Sequence, residues 1–176
     1  MTSDDASFRQ FVTRQWEPLN RTAFLLTRDR ALAEDLVQSA LEKTHRHWRR
    51  IERTDAPEVY TRRVMINTAI SWRRRRKWAE VPLLPSDTGG VADPYRQADN
   101  RNLLLPALRR LPPRTQAILV LRYFEDLSEA DIARVLGCST GSVKSQASRG
   151  LARLRELLQR EETTENARTT LLGGLA

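Results

Sequence analysis

Apolar residues recur along this chain at intervals of three and four, the spacing that lines one face of an α-helix, and no stretch competes with the alternation of a strand. Phe8, Phe11 and Val12 begin such a stripe. Pro18 is expected to interrupt or kink it, because proline lacks the amide hydrogen that a helix interior uses, and Leu19, Ala23 and Leu26 resume it. A second helix is predicted from Ala31 to Trp48, where Leu32, Leu36, Ala40 and Trp48, with Val37, Leu41 and Thr44 beside them, oppose a face of Glu34, Asp35, Gln38 and Glu42. A polar loop is expected over 49–54. Asp55 and Glu58, around Pro57, have the spacing of a capping box and predict a helix running toward Arg76. In the second half the pattern predicts a short helix near 106–111, a turn at Pro112-Pro113, a helix to about Phe124 and two more after Ser128. The expected fold class is all-α.

Residues 127–144 carry the most specific local signal. Ser128 is placed to cap a short helix whose Ile132, Val135 and Leu136 face inward; Gly137 suits the positive φ of a tight turn; Ser139 or Thr140 is placed to cap the next helix. This is a helix-turn-helix pattern. Its second helix is expected to bury Val143, Ala147, Leu151 and Leu154, leaving Ser142, Lys144, Ser145, Gln146 and Arg149 for a DNA major groove. A plain helical hairpin with a solvated charged face would share the periodicity, and charge decides between the two.

Lys plus Arg number 30 against 22 Asp plus Glu, a net charge of +8. Only Lys43, Lys77 and Lys144 are lysines, so 27 cations are arginines, suited to bidentate contact with phosphate or guanine. Residues 1–80 and 101–160 each carry +6, whereas 81–100 and 161–176 each carry −2. The acidic stretch 81–100 holds Pro82, Pro85, Gly89, Gly90 and Pro94, and all four tryptophans precede it. It is therefore expected to be a flexible linker between two small helical domains, 1–80 and 101–160, with 161–176 as a C-terminal tail. Fully extended, its 20 residues reach roughly 65 Å. Arg73, Arg74, Arg75, Arg76 and Lys77 are consecutive, too many cations for local acids to pair, and point to nucleic-acid phosphates. Their helix also offers Tyr60, Arg62, Arg63, Asn67 and Ser71, groups of the kind that touch bases.

Other chemistries find little footing. His45 and His47 point about 200° apart on a helix and do not share a metal ion, so no metal or other cofactor is expected. Cys138 excludes a disulfide within the chain and is expected to pack as a small apolar group. There is neither a phosphate-cradling glycine loop nor a nucleophile beside a base, which argues against an enzyme. No apolar run approaches a membrane span of about 18 residues and the first seven residues form no signal peptide, so a cytoplasmic protein is expected.

Several ordered stretches resemble the small extracytoplasmic-function (ECF) sigma factors of bacterial RNA polymerase. They are Leu25-Leu26-Thr27, Ala33-Glu34-Asp35-Leu36-Val37-Gln38, Tyr60-Thr61-Arg62-Arg63-Val64-Met65-Ile66-Asn67, Leu111-Pro112-Pro113-Arg114, Leu121-Arg122-Tyr123-Phe124-Glu125-Asp126-Leu127-Ser128 and the helix-turn-helix. The resemblance covers about 8–158 and implies a promoter-specificity subunit whose partners are core RNA polymerase and promoter DNA. It leaves room for an anti-sigma factor, without membrane insertion. It implies that Glu34, Asp35 and Gln38 dock on the polymerase. Arg49, Arg50, Arg53, Tyr60, Arg63, Asn67, Arg73, Arg74, Arg75 and Arg76 would then serve the minus-ten element. Thr140, Ser142, Lys144, Ser145, Gln146 and Arg149 would serve the minus-thirty-five element. Two positions depart from the family pattern: Arg28 stands where glycine is usual before Asp29, and Gln146 where arginine is usual. A free-standing helix-turn-helix regulator, a nucleic-acid-processing enzyme and a protein-interaction module are the competing classes.

Overall fold

A computed structural model describes residues 3–54, 56–78 and 99–173. The cap expected at Asp55 and nearly all of the linker expected over 81–100 lie outside them. The described residues form eight helices and no strand: α1 (Ser3–Thr27), α2 (Arg30–Arg46), α3 (Trp48–Thr54), α4 (Pro57–Trp78), α5 (Asp99–Arg110), α6 (Pro113–Tyr123), α7 (Glu129–Leu136) and α8 (Thr140–Gly173). The all-α expectation holds.

Four local expectations need correction. Pro18 does not interrupt α1, which is one helix from Ser3 to Thr27. The missing amide bond is outweighed by anchors on both sides, Phe11 and Leu19, each fully buried in the same cluster. The stretch 49–54 is not a loop but the body of α3. There Trp48 and Ile51, three apart, turn inward, and Trp48 Nε1 donates to Ser7 Oγ at 2.9 Å. The helix expected only near 106–111 begins at Asp99 and carries Pro106 within it. The second helix of the helix-turn-helix continues through the expected tail to Gly173.

The turns follow their residues. Asp29 caps α2, its carboxylate accepting from the Leu32 amide at 2.9 Å. Arg28, immediately before it, takes the left-handed φ of 56° that glycine would supply more cheaply. Ser128 Oγ accepts from the Asp131 amide at 3.1 Å, Gly137 ends α7 at φ 62°, and Ser139 Oγ accepts from the Ser142 amide at 3.2 Å. At Gly150 the backbone of α8 comes close to side chains of α6: an added Cβ would lie 2.4 Å from Thr115 Cγ2.

Burial forms three clusters. One holds the first half together, from Phe11 and Leu19 through Leu36, Val37 and Ala40 to Trp48 and Met65. Another joins α5, α6 and α8 through Leu108, Leu111, Leu119, Leu154 and Leu157. The third crosses between the halves: Leu26 of α1 and Ile66 of α4 are buried with Ile118, Leu121, Ile132, Val135, Leu136 and Val143. The halves, expected to be loosely tethered unless a partner clamps them, share a core. No described helix is long and apolar enough to cross a membrane.

Candidate nucleic-acid interface

The periodicity of α4 divides its circumference into three faces. Thr61, Met65 and Thr68 are buried toward the first half, where Thr61 Oγ1 pairs with Thr44 Oγ1 of α2 at 3.0 Å. Ile66, flanked by Val59, Ala69 and Ile70, packs on the second half. Tyr60, Arg63, Asn67 and Arg74, spaced by three, four and seven, share the remaining stripe, on which Arg63, Asn67 and Arg74 are exposed. The Tyr60 ring lies edge-on to His47, centroids 6.4 Å apart, joining this stripe to the entrance of α3. There Arg49 and Arg50 are exposed. The side chains of Arg53 and Arg76 lie outside the described residues.

The five-cation run is split by the same geometry. Arg74 and Arg75 are exposed, Arg75 donating to Ser71 Oγ at 3.2 Å. Arg73, 100° away from Arg74 around the helix, turns into the second half. Its Nη1 donates to Gln116 Oε1 at 2.5 Å, and its Nη2 donates to the carbonyls of Leu111, at 2.7 Å, and Arg109. Burial, with the Arg109 charge beside it, pulls the Arg73 guanidinium down to about 10, which leaves it charged at neutral pH. Expected among the minus-ten residues, Arg73 is spent here on protein carbonyls.

Glu34, Asp35 and Gln38 lie exposed on α2, opposite the buried Ala33, Leu36, Val37 and Ala40, so the helix offers an acidic and amide surface outward. On α8, Thr140, Lys144, Ser145 and Arg149 are exposed, and Ser142 and Gln146 are half-buried. Ser142, Gln146 and Arg149 follow one edge of the helix; Thr140 and Lys144 follow the other. Gln146 Nε2 donates to Ser142 Oγ at 2.8 Å, which fixes the plane of its amide. The buried side of α8 starts with Val143 and includes Leu154 and Leu157, with Ala147 and Leu151 half-buried. The two candidate DNA surfaces are brought together. A cleft of about 660 Å³ separates Val59, Tyr60 and Arg63 of α4 from Ala133, Arg134, Gly137, Cys138 and Thr140.

Sequence reasoning missed Gln116, Arg109 and Glu125. Gln116 is 1% exposed, and its Nε2 donates to Leu25 O at 3.1 Å and more weakly to Leu26 O at 3.4 Å. The available signal was an amide at the head of the run Ala117-Ile118-Leu119-Val120-Leu121, a position that must find polar partners if the run is buried.

Comparison with known proteins identifies the family. The sequence pattern described as Sigma-70 region 2 matches residues 12–79, and that described as Sigma-70, region 4 matches 101–154. The RNA polymerase sigma-E factor of Streptomyces coelicolor is 40% identical over 151 residues, covering 86% of this chain and 85% of that protein. The ECF RNA polymerase sigma factor SigM of Mycobacterium tuberculosis is 32% identical over 169 residues, covering 96% and 85%. Among solved structures, the sigma factor RpoE of Bartonella quintana, in complex with the anti-sigma factor NepR, superposes with a TM-score of 0.65 at 25% identity, covering 87% of this chain and 97% of that one.

Proposed function

Since the chain belongs to the sigma-70 family of RNA polymerase sigma factors, in its extracytoplasmic-function branch, we propose how its surfaces divide the work of a promoter-specificity subunit. The protein directs core RNA polymerase to selected promoters and helps to open the DNA. It supplies recognition and leaves nucleotide addition to the polymerase, in the cytoplasm where polymerase and promoter meet.

Residues 1–80 act as the domain that binds core polymerase and opens the minus-ten element. Glu34, Asp35 and Gln38 form the docking face. Arg49, Arg50, Arg53, Tyr60, Arg63 and Asn67 meet the extruded bases and their strand, and Arg74, Arg75 and Arg76 hold phosphates. Residues 101–160 act as the minus-thirty-five reader through Thr140, Ser142, Lys144, Ser145, Gln146 and Arg149. Residues 81–100 act as a linker and 161–176 as a tail. An anti-sigma factor is a further partner, by analogy with the Bartonella quintana sigma factor, which was solved in complex with one.

The observation that carries this reading is the stripe Tyr60, Arg63, Asn67 and Arg74 on α4, a second candidate DNA surface beside the recognition helix α8. A free-standing regulator needs only the recognition helix. Run-off transcription with core polymerase tests the reading: transcripts are expected from a subset of promoters only when this protein is added. Replacing Asp35 and Gln38 together by Ala is expected to weaken association with core polymerase while circular dichroism stays unchanged. Tight duplex binding by the protein alone, with no transcript from any template, would favour the regulator.

A further inference from the structure

The cleft between α4 and the helix-turn-helix has the build of a small-molecule site. Its volume of about 660 Å³ lies within the range of about 300–1,000 Å³ that encloses such ligands. Its inner walls are apolar and made of small groups: Ala56 and Val59 at the head of α4 line it together with Ala130, Ala133 and Gly137 of α7 and its turn. Gly137 matters most, because a Cβ there would stand 3.2 Å from Arg63 Nη2; the bare backbone leaves that guanidinium its place in the cleft. Ala133 is buried and Ala130 exposed, so the apolar lining runs from core to rim. The two sides are held in register by Arg62 of α4, whose Nη2 is 3.3 Å from Glu125 Oε2 beyond α6, and by Arg109 Nη1 of α5, which donates to the Thr27 carbonyl at 2.6 Å.

The polar part of the lining is positive. Arg63 enters from α4 and Arg134 from α7, and no carboxylate lines the cleft among the described residues. Arg134 shares its charge with Asp131, three residues back on its own helix, whereas no acid pairs with Arg63 among the described residues. Each part of this lining selects one property of a ligand. Walls of Ala, Val and Cys side chains accept a flat apolar group. The Tyr60 ring and the guanidinium planes stack on aromatic rings. A guanidinium without an acid takes a carboxylate, sulfonate or phosphate through two parallel N–H···O bonds. The same two arginines repel a cation, and an aliphatic chain would gain burial without stacking.

We propose that this cleft binds a small planar aromatic anion, its ring against Val59, Tyr60 and Ala133 and its charge on Arg63 and Arg134, and that the occupant competes with promoter DNA. Binding needs only the cleft. The competition rests on the functional reading above, in which Tyr60 and Arg63 serve the minus-ten element and Thr140, also in the lining, the minus-thirty-five element. An aromatic carboxylate and a nucleoside monophosphate both carry the required chemistry. At ten times its dissociation constant the occupant lowers the apparent affinity for promoter DNA about tenfold.

The single cysteine Cys138 lines the cleft, so its alkylation reports occupancy at one place. Full-length protein is titrated with 1-anilinonaphthalene-8-sulfonate, an aromatic anion whose fluorescence rises on binding, and Cys138 alkylation by N-ethylmaleimide is followed by mass spectrometry. Saturating probe is expected to slow alkylation severalfold. Arg63→Gln and Ala130→Phe, the second filling the cleft from its rim, are each expected to weaken probe binding about tenfold while circular dichroism stays unchanged. Unprotected Cys138, or equal binding by Ala130→Phe, overturns the site. Salicylate and adenosine 5′-monophosphate are then used to displace the probe, and whichever displaces it names the source; displacement by neither, or equally well by inorganic phosphate, overturns the aromatic-anion class. In run-off transcription the probe is expected to inhibit the parent protein and to leave Ala130→Phe, which transcribes normally without it, unaffected; equal inhibition of both overturns the competition. Failure of the ligand-free parent to transcribe would count against the promoter-specificity reading, while fluorescence and alkylation still decide whether the cleft binds.

Discussion

Gln146 is held by a neighbour on its own helix, and that contact sharpens what it can read. With one N–H given to Ser142 Oγ, the amide keeps its second N–H and its oxygen, the pair that matches N7 and N6 of adenine. Arginine at this position would favour guanine instead. Gln146→Arg is therefore expected to shift the selected upstream base from adenine toward guanine, with discrimination of about 1–3 kcal/mol. Selection from a randomised upstream element with both proteins checks it, and identical preferences would leave Gln146 no reading role. Gly137 makes a second residue-scale case. Its φ of 62° is costly for any side chain, and a Cβ would press on Arg63 Nη2. Gly137→Ala is expected to lose about 1–2 kcal/mol in urea unfolding. Gly137 is legible from its sequence neighbours as a turn position, and Gln146 as a position on the second helix of the helix-turn-helix. The partner of each is not, because Ser142 and Arg63 become neighbours only when the helix winds and the halves pack.

At the scale of elements, periodicity and end signals located the helices, and the errors came where two local rules competed. Pro18 breaks a helix in isolation, yet α1 continues because Phe11 and Leu19 on either side are committed to one cluster. The residual cost should still be measurable. Pro18→Ala restores an amide to the ladder and is expected to stabilise by about 1 kcal/mol or more, about 2–4 °C in melting temperature for a chain of this size. No rise would mean that α1 has already relaxed around the proline. The segment 49–54 reads as a loop because its polar residues outnumber Trp48 and Ile51. Burial of those two, at 5% and 3% exposure, is enough to wind it into α3. That changes the site as well, since Arg49 and Arg50 now stand on a helix with a fixed relation to Tyr60 rather than on a free strand of chain.

For the whole molecule, the decisive feature is that Leu26 and Ile66 belong to the core of the other half. Burying an aliphatic side chain contributes about 1.5–3 kcal/mol relative to exposing it, and the cross-capped helix ends add direction to that attraction. Limited proteolysis is expected to cut within 81–100, where proline, glycine and acidic residues collect. The two fragments are then expected to co-elute in gel filtration at low salt; fragments that separate at once would show that the shared core is too weak to hold them. The sequence by itself determined the helical class, the helix-turn-helix with its Ser128 cap and Gly137 turn, the outward face of Glu34, Asp35 and Gln38, and the family. The first three rest on residues within a few positions of one another, and the family on several such stretches in order. Only the tertiary structure decided that Arg73 leaves the run of cations, that Gln116 is buried against α1, and that Glu125 meets Arg62. Consecutive arginines are alike in sequence but stand 100° apart around a helix, so which one meets water and which meets a carbonyl depends on what packs against each face.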